Sequence, residues 1–364
     1  MKICFVAEAN SAHIEKWCGY FLGRGHEVHV ISFTPGDIPG AVIHHLDLGL
    51  SGEEGDLSKL KYLTQGRKIR KLVEEIRPDV VNVHYATSYG AAVALSGLKG
   101  YVLSVWGSDV YDFPKKSFLH NSLLRYSLAH SDCIMSTSRA MAKETRHYTD
   151  KKILITPFGV DTEFFTPKRR SRLPGFVDER FIIGTAKKLE PKYGIDDLLR
   201  AGSIIREKRP EIDLRLMIAG TGTHEEEYKK LSEELGLAER TAWRGFISRD
   251  EVAKLWANLD VAVIPSTLDS ESFGVAAVEA EASGVPVVIS DVPGLMEATR
   301  PGYTALVVER QKPELLAEAI LRLHDDPELR SRLGKNGRRY VQKRYEYEDC
   351  FAEIERYLIA ASGH

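Results

Sequence analysis

This 364-residue sequence predicts an α/β protein built from two Rossmann-like, doubly wound domains in tandem. Three observations carry that expectation. Short runs of β-branched and apolar residues alternate with amphipathic stretches along the chain. The alternation comes in two series, divided by the Pro-, Gly- and charge-rich segment "FGVDTEFFTPKRRSRLPGFVDER". The length suffices for two ordinary cores, and 43% hydrophobic with 28% charged residues is a globular composition.

In chain order, "KICFVAEA", "EVHVISF", "DVVNVHY", "GYVLSVWG" and "CIMSTS" read as strands. Their continuous apolar character suits a parallel sheet covered on both faces. Segments between them, such as "IEKWCGYFLGRG" and "KIRKLVEEIRPD", read as helices. The second series is "RFIIGTA", "LRLMIAG", "TAWRGF", "VAVIPS", "PVVISD" and "ALVVE", again with helices between, and the tail "DDPELRSRLGKNGRRYVQKRYEYEDCFAEIERYLIAAS" reads as helical throughout. The expected domains are 1–165 and 166–345.

Composition excludes several classes of function. Fifty Lys and Arg against 52 acidic residues give a net charge of −2, which offers no global attraction for nucleic acid. Four dispersed cysteines without CxxC spacing fit reduced thiols rather than a disulfide framework or a zinc site. No run approaches the ~18 apolar residues of a membrane span, and the first residues do not read as a signal peptide, so the expected location is the cytoplasm. The stretch "KLKYLTQGRKIRKL" interleaves basic and apolar residues; an ordinary amphipathic helix is preferred there over a peripheral one resting on the inner membrane face.

Ligands of doubly wound folds gather at the carboxyl ends of strands. After "VAVIPS" comes "TLDSESFGVAAVEAEASG", with Glu271 in the strand-to-helix loop, Ser272 as a candidate N-cap, and Glu279 further along. Helical rise would separate the two glutamates by up to ~12 Å, wider than the ~5–9.5 Å of a glycosidase carboxylate pair. They suit the two ends of one long ligand, with the Phe273 and Gly274 amides at the helix N-terminus as an anion site between them. Glutamates on helices are ordinarily solvated, and Glu281, on a different face from Glu279, is expected to be so. The alanines and valines of this helix leave little polar surface, which favours a role for Glu279.

The run "ESFGVAAVEAEASGVPVV" resembles the E-x7-E signature of the retaining glycosyltransferases of family GT4, which have the two-domain GT-B fold. The pieces "RGHEVHV", "PFGVDTEFF", "KKLEPKYGIDDLL", "IAGTG" and "WRGFI" fall in that family's order over nearly the whole chain. The resemblance implies two domains facing across a cleft. It gives Glu279 the ribose hydroxyls, Glu271 the donor sugar, the Phe273–Gly274 amides the donor, and Gly245–Phe246 the base. A final helix, from about 346 to 364, is expected to pack back on the first domain.

The family's Arg and Lys that grip the diphosphate have lysines in their region here. With Lys188 on the usual Arg, Tyr193 rather than Lys192 falls on the commonest Lys position. Lys188 and Lys192 are favoured, with Lys187 left open. In the first domain Asn10, Ser11 and His13 occupy the loop where a Gly-Gly is common, and the hydroxyl is a candidate helix cap. Trp106 stands in the place of a frequent histidine, with Asp109 the nearest acid; these two with Asn10, Ser11 and His13 are the candidates to line the cleft on the acceptor side, and His84, which ends a strand, is a candidate catalytic residue. Lone histidines are more often structural than catalytic.

The implied reaction is hexosyl transfer with retention, from a nucleotide-diphosphate sugar, UDP favoured, to a hydroxyl acceptor, with no metal and no other cofactor. The alternatives are a UDP-sugar 2-epimerase-like enzyme of the same architecture and a noncatalytic nucleotide-sugar-binding protein. A nicotinamide dehydrogenase is disfavoured because "VAEANSAH" lacks the glycines of G-x-G-x-x-G.

Overall fold

The structure is a computed structural model that describes residues 1–48, 61–170 and 180–363. The middle of the expected linker, 171–179, and the first two residues of the basic stretch, 59 and 60, lie outside the described residues. The chain forms two compact units, Met1–Pro157 with Asp349–His364, and Phe158–Glu348.

The first unit holds strands β1 (Lys2–Val6), β2 (Glu27–Ser32), β3 (Val42–His45), β4 (Val80–His84), β5 (Tyr101–Val105), β6 (Cys133–Ser136) and β7 (Ile153–Ile155). They make a parallel sheet in the order β3-β2-β1-β4-β5-β6-β7. β1, β4 and β5 are therefore neighbours, and β4 and β5 are buried at every position. The unit's core runs through Val6, Val83, Leu103, Ile134 and the helix residues packed on them. The helix Gly66–Ile76 contributes buried Ile69, Val73 and Ile76, while Arg70 and Lys71 pair with Glu74 and Glu75 on the exposed side. This is the ordinary amphipathic packing that the 3.6-residue period predicts.

The C-terminal helix Tyr347–Ala361 buries Cys350, Phe351, Ile354 and Leu358. Within the first unit, Phe351 meets Trp17 and Tyr20 at 5.6 and 5.1 Å between ring centroids, and the Tyr20 hydroxyl donates to Glu355 at 3.0 Å.

The second unit holds β8 (Phe181–Ala186), β9 (Leu214–Ala219), β10 (Thr241–Trp243), β11 (Val261–Ile264), β12 (Val287–Ser290) and β13 (Ala305–Val308). All pairs are parallel, in the order β10-β9-β8-β11-β12-β13. The order reverses between β8 and β11, so their carboxyl ends flank a topological switch point. The division between units falls after Pro157, earlier than the boundary expected at 165. Residues 158–165 are anchored in the second unit: Val160 N–H donates to the Tyr345 carbonyl at 2.7 Å, and Phe158 stands edge-on to Phe273 at 5.8 Å.

Candidate active site

In the second unit, Lys187 directly follows β8 and Glu271 lies in the loop after β11. Lys187 Nζ stands 2.8 Å from Glu271 Oε2, with side chains only 11% and 10% exposed. The ammonium also lies 4.9 Å from the centre of the Tyr193 ring, and Lys192 Nζ lies 4.8 Å from that same centre. Lys187, Lys192, Tyr193 and Glu271 thus share one corner at the switch point. Lys188 is exposed. Such ammonium–ring contacts are electrostatic and strengthen as water is excluded.

The backbones under this corner are closely held. Lys187 N–H donates to the Ala219 carbonyl at 3.0 Å, and a Cβ on Gly220, whose φ is +132°, would come within 1.8 Å of the Lys187 carbonyl oxygen. Thr267 N–H donates to the Lys192 carbonyl at 2.8 Å, which ties the loop after β11 to the loop after β8. Arg310 braces the same loop, giving hydrogen bonds to the Thr267 carbonyl, to Asp269 at 2.8 Å and to Asp291 at 3.0 Å. Sequence reasoning missed Arg310: it sits just past β13, and nothing local ties it to residues 267–291.

The helix after this loop is Val275–Ala282, and its N-cap is Gly274 in the left-handed region at φ +80° rather than the expected Ser272. A Cβ at Gly274 would fall 2.4 Å from Leu295 Cδ2, so a serine cap could not sit where the chain turns. Ser272 and Phe273 are buried ahead of the helix, and the Phe273 ring packs edge-on against Phe158 and Tyr345. The first-turn amides of a helix have no intrahelical acceptor, so the backbone there can meet a ligand.

Glu279 is half-buried on the second turn and accepts from Trp256 Nε1 at 3.4 Å. Glu281 contradicts the expectation of a solvated side chain. It is fully buried, with neither carboxyl oxygen hydrogen-bonded among the described residues, and Gly337 of the helix Pro327–Arg344 packs on its methylenes. Burial pushes its carboxyl up to about 8, with the Thr304 hydroxyl nearby pulling the other way. Gly245, at φ +59°, accepts from Gly220 N–H at 2.7 Å, and the Phe246 ring beside it is 85% exposed.

In the first unit the candidates gather at the carboxyl ends of neighbouring β1, β4 and β5. His84 closes β4, Trp106 follows β5, and His13 lies on the first turn of the helix Ala12–Gly23. Ring centroids are 5.1 Å apart for His13–Trp106, 5.2 Å for His84–Trp106 and 4.7 Å for Trp17–His84. Ser11 is the N-cap residue of that helix, but its side chain makes no capping bond; Asn10 is exposed and its Oδ1 accepts from the Thr34 hydroxyl at 3.4 Å.

Two of these assignments need correction. His84 was a candidate catalyst, yet it is 3% exposed, and burial followed by the charge of His13 holds its imidazole down to about 3. Asn82 fixes its tautomer: the Asn82 amide donates to the Val102 carbonyl and Ser104 Oγ, so its oxygen takes the His84 Nε2 proton at 2.7 Å. A neutral, enclosed imidazole of this kind does not carry protons near pH 7. Asp109 is not a cleft acid either. Its carboxylate is fully buried and accepts from the backbone N–H groups of Ala86, Trp106 and Gly107, locking the turn that presents Trp106.

Comparison with known proteins agrees with this architecture. Residues 169–340 match the family "Glycosyl transferases group 1", and residues 2–138 match "Glycosyl transferase 4-like". A D-inositol 3-phosphate glycosyltransferase of Paenarthrobacter aurescens is 34% identical over 217 residues, covering 58% of this chain and 53% of the relative, so the match spans about half of that protein's length. The enzyme of the same name from Pseudarthrobacter chlorophenolicus is 29% identical over 353 residues, 90% of this chain and 82% of the relative.

Sucrose-phosphate synthase from Thermosynechococcus elongatus superposes with a TM-score of 0.81 at 21% identity, over 99% of this chain and 100% of that one. Anabaena HepE, solved in complex with UDP and glucose, gives 0.81 at 18% identity, over 98% and 99%. At such identities the solved structures establish the fold, which is GT-B. Two family matches in tandem, with an E-x7-E segment at the switch point of the second sheet, place this chain among the GT4-type, group 1 glycosyltransferases.

Proposed function

We propose that this glycosyltransferase moves a hexosyl group from a nucleotide-diphosphate sugar, with UDP as the favoured carrier, to a hydroxyl acceptor with retention of anomeric configuration. The observation that carries the reading is the corner at the switch point of the second unit, where Lys187, Lys192 and Glu271 meet ahead of a helix N-terminus and Glu279 sits on its second turn. The arrangement suits one extended ligand: ribose at Glu279, diphosphate at the lysines and the helix amides, sugar at Glu271. The exposed Phe246 edge is assigned to the base, and Lys188 to the outer face of the diphosphate.

In the transfer, the bond from the anomeric carbon to the phosphate oxygen breaks and a bond to the acceptor oxygen forms on the same face. The acceptor's proton goes to the departing phosphate. Positive charge grows on the sugar and negative charge on the phosphate; the lysines and helix dipole stabilise the second. They do so with no metal, and no other cofactor enters. The first-unit residues Asn10, Ser11, His13 and Trp106 are assigned to the acceptor as a polar and aromatic wall.

The names of the relatives, which act on inositol 3-phosphate or make sucrose phosphate, point to phosphorylated polyols and sugars as the first acceptors to try. A thermal-shift screen of UDP, GDP, ADP, dTDP and their sugars tests the donor, because a ligand bound only by the folded state raises Tm. Release of the nucleoside diphosphate with each acceptor, and the anomeric proton coupling of the product, test transfer and retention. A protein that no nucleoside diphosphate stabilises would sink the reading.

A further inference from the structure

We propose that the Lys187–Glu271 ion pair is a latch opened by the donor: the diphosphate draws Lys187 away, and only then is Glu271 released to hold the sugar. This rests on the glycosyl-transfer reading and deepens it. Glu271 is 9% exposed, so its carboxylate needs a donor partner at all times. In this structure that partner is Lys187, at 2.8 Å.

While the ammonium holds one Glu271 oxygen, at least one of the carboxylate's roughly four acceptor sites is closed to sugar hydroxyls. Lys187, for its part, is a point charge on a flexible four-carbon stem, and a diphosphate offers it more negative charge than one carboxylate does. Its ammonium rests 4.9 Å from the Tyr193 ring centre, beside Lys192 at 4.8 Å from the same centre. Tyr193 is thus a shared platform on which Lys187 can shift from the carboxylate to a phosphate without leaving a cation–π contact.

The backbone is arranged for a side-chain exchange rather than a loop movement. Gly220 lies against the Lys187 carbonyl, Thr267 is tied to the Lys192 carbonyl, and Arg310 clamps Thr267, Asp269 and Asp291. With both loops pinned, the pair itself is the element with two arrangements.

Coupling follows in a definite direction. A nucleoside diphosphate without a sugar takes Lys187 and leaves Glu271 without its partner, so it binds against the latch. A sugar nucleotide replaces that partner with hydroxyls and does not suffer the penalty. The latch therefore selects a loaded donor over the spent one and favours product release.

Titration calorimetry with UDP, GDP, ADP and inorganic pyrophosphate decides the matter. In Glu271→Gln, which keeps the shape and removes the charge, the diphosphate that binds wild type should bind roughly 5–10-fold tighter. Lys187→Met should weaken it, and in the double variant the gain from Glu271→Gln should vanish. The parent nucleoside, which lacks the phosphates, should bind all four proteins alike. Unchanged or weaker diphosphate binding in Glu271→Gln overturns the latch, as does a gain that persists without Lys187. If wild type binds none of the probes, the glycosyl-transfer reading falls and the latch with it. If wild type binds and Glu271→Gln does not differ, the latch alone falls. Thermal melts of each variant confirm that the comparison is between folded proteins.

Discussion

The two units carry similar sheets and treat the carboxyl ends of their strands in opposite ways. In the first unit the ends of β1, β4 and β5 are closed with aromatic rings: His13 meets Trp106 and Trp17 meets His84 edge to face, and His84 lies tilted against Trp106. Two ionisable groups there are taken out of play: His84 is neutral and Asp109 is saturated by backbone amides. In the second unit the corresponding corner keeps charge: Lys187 and Glu271 face each other with little exposure, and the helix amides lie beyond. A buried pair is costly to desolvate and is weak evidence of stability. Its place at a switch point is better accounted for by a ligand that exchanges with it. The difference teaches that similar sheets need not present similar chemistry: charge is kept at the strand ends of the second unit, while rings cover those of the first.

The comparison is easiest to break at Glu271. Glu271→Ala should lower kcat/KM by ~10²–10³, about 2.7–4 kcal/mol of transition-state stabilisation. Nucleotide binding should not weaken. Steady-state release of nucleoside diphosphate and calorimetry on the same protein check both halves, and a loss confined to nucleotide affinity would reverse the assignment.

A second test concerns Glu281, a carboxyl buried on the very helix that presents Glu279. Its folded value, about 8, lies above the unfolded one, so the folded protein holds the proton while the unfolded chain releases it. Stability is therefore full below about pH 4.5, falls as pH rises from there towards 8, and is level above. By pH 7 the loss should approach about 3 kcal/mol. Glu281→Gln should flatten that slope, read as the difference in urea midpoint between wild type and variant from pH 5 to 8. Parallel curves would remove Glu281 as the cause. Asp197, also raised by burial, to about 6, is common to both proteins and cancels in the difference.

Glu279→Gln should weaken the nucleotide by ~1–3 kcal/mol with the fold intact, because a charged acceptor is lost. Equal affinities for the bound nucleoside diphosphate would discard the ribose assignment. The smallest effects expected are nulls that sharpen the contrast between units. His84→Asn should change turnover by less than ~10-fold and leave the pH profile between 6 and 8 in place, since the imidazole is neutral throughout that range. Excess EDTA should leave turnover intact; loss of activity restored by Mn²⁺ or Mg²⁺ would show that the lysines do not suffice.

Much of this was legible along the chain. All six strands of the second unit appear where apolar runs place them, because buried parallel strands leave uninterrupted apolar stretches. In the first unit β3 and β7 were not foreseen. Each is a short sheet edge without a buried position, and exists because β2 and β6 offer it hydrogen bonds. Asp109 and His84 were visible as polar residues at strand ends, but their roles depend on amides and rings from other loops.

The sequence by itself determined the tandem α/β order, the placing of Glu271 after a strand and Glu279 along a helix, and the cluster of lysines after β8. Those are local facts of period, length and residue type. Only the tertiary structure decided that Lys187, rather than its neighbours, meets Glu271, 84 positions away. It alone decided that Gly274 turns the chain into the helix at a φ of +80°, which a side chain would strain, with Leu295 Cδ2 2.4 Å from where a Cβ would sit. It also decided that Glu281 is sealed under Gly337 rather than solvated. Each of these is a matter of which surfaces close over a side chain, and closure depends on partners that the local sequence does not contain.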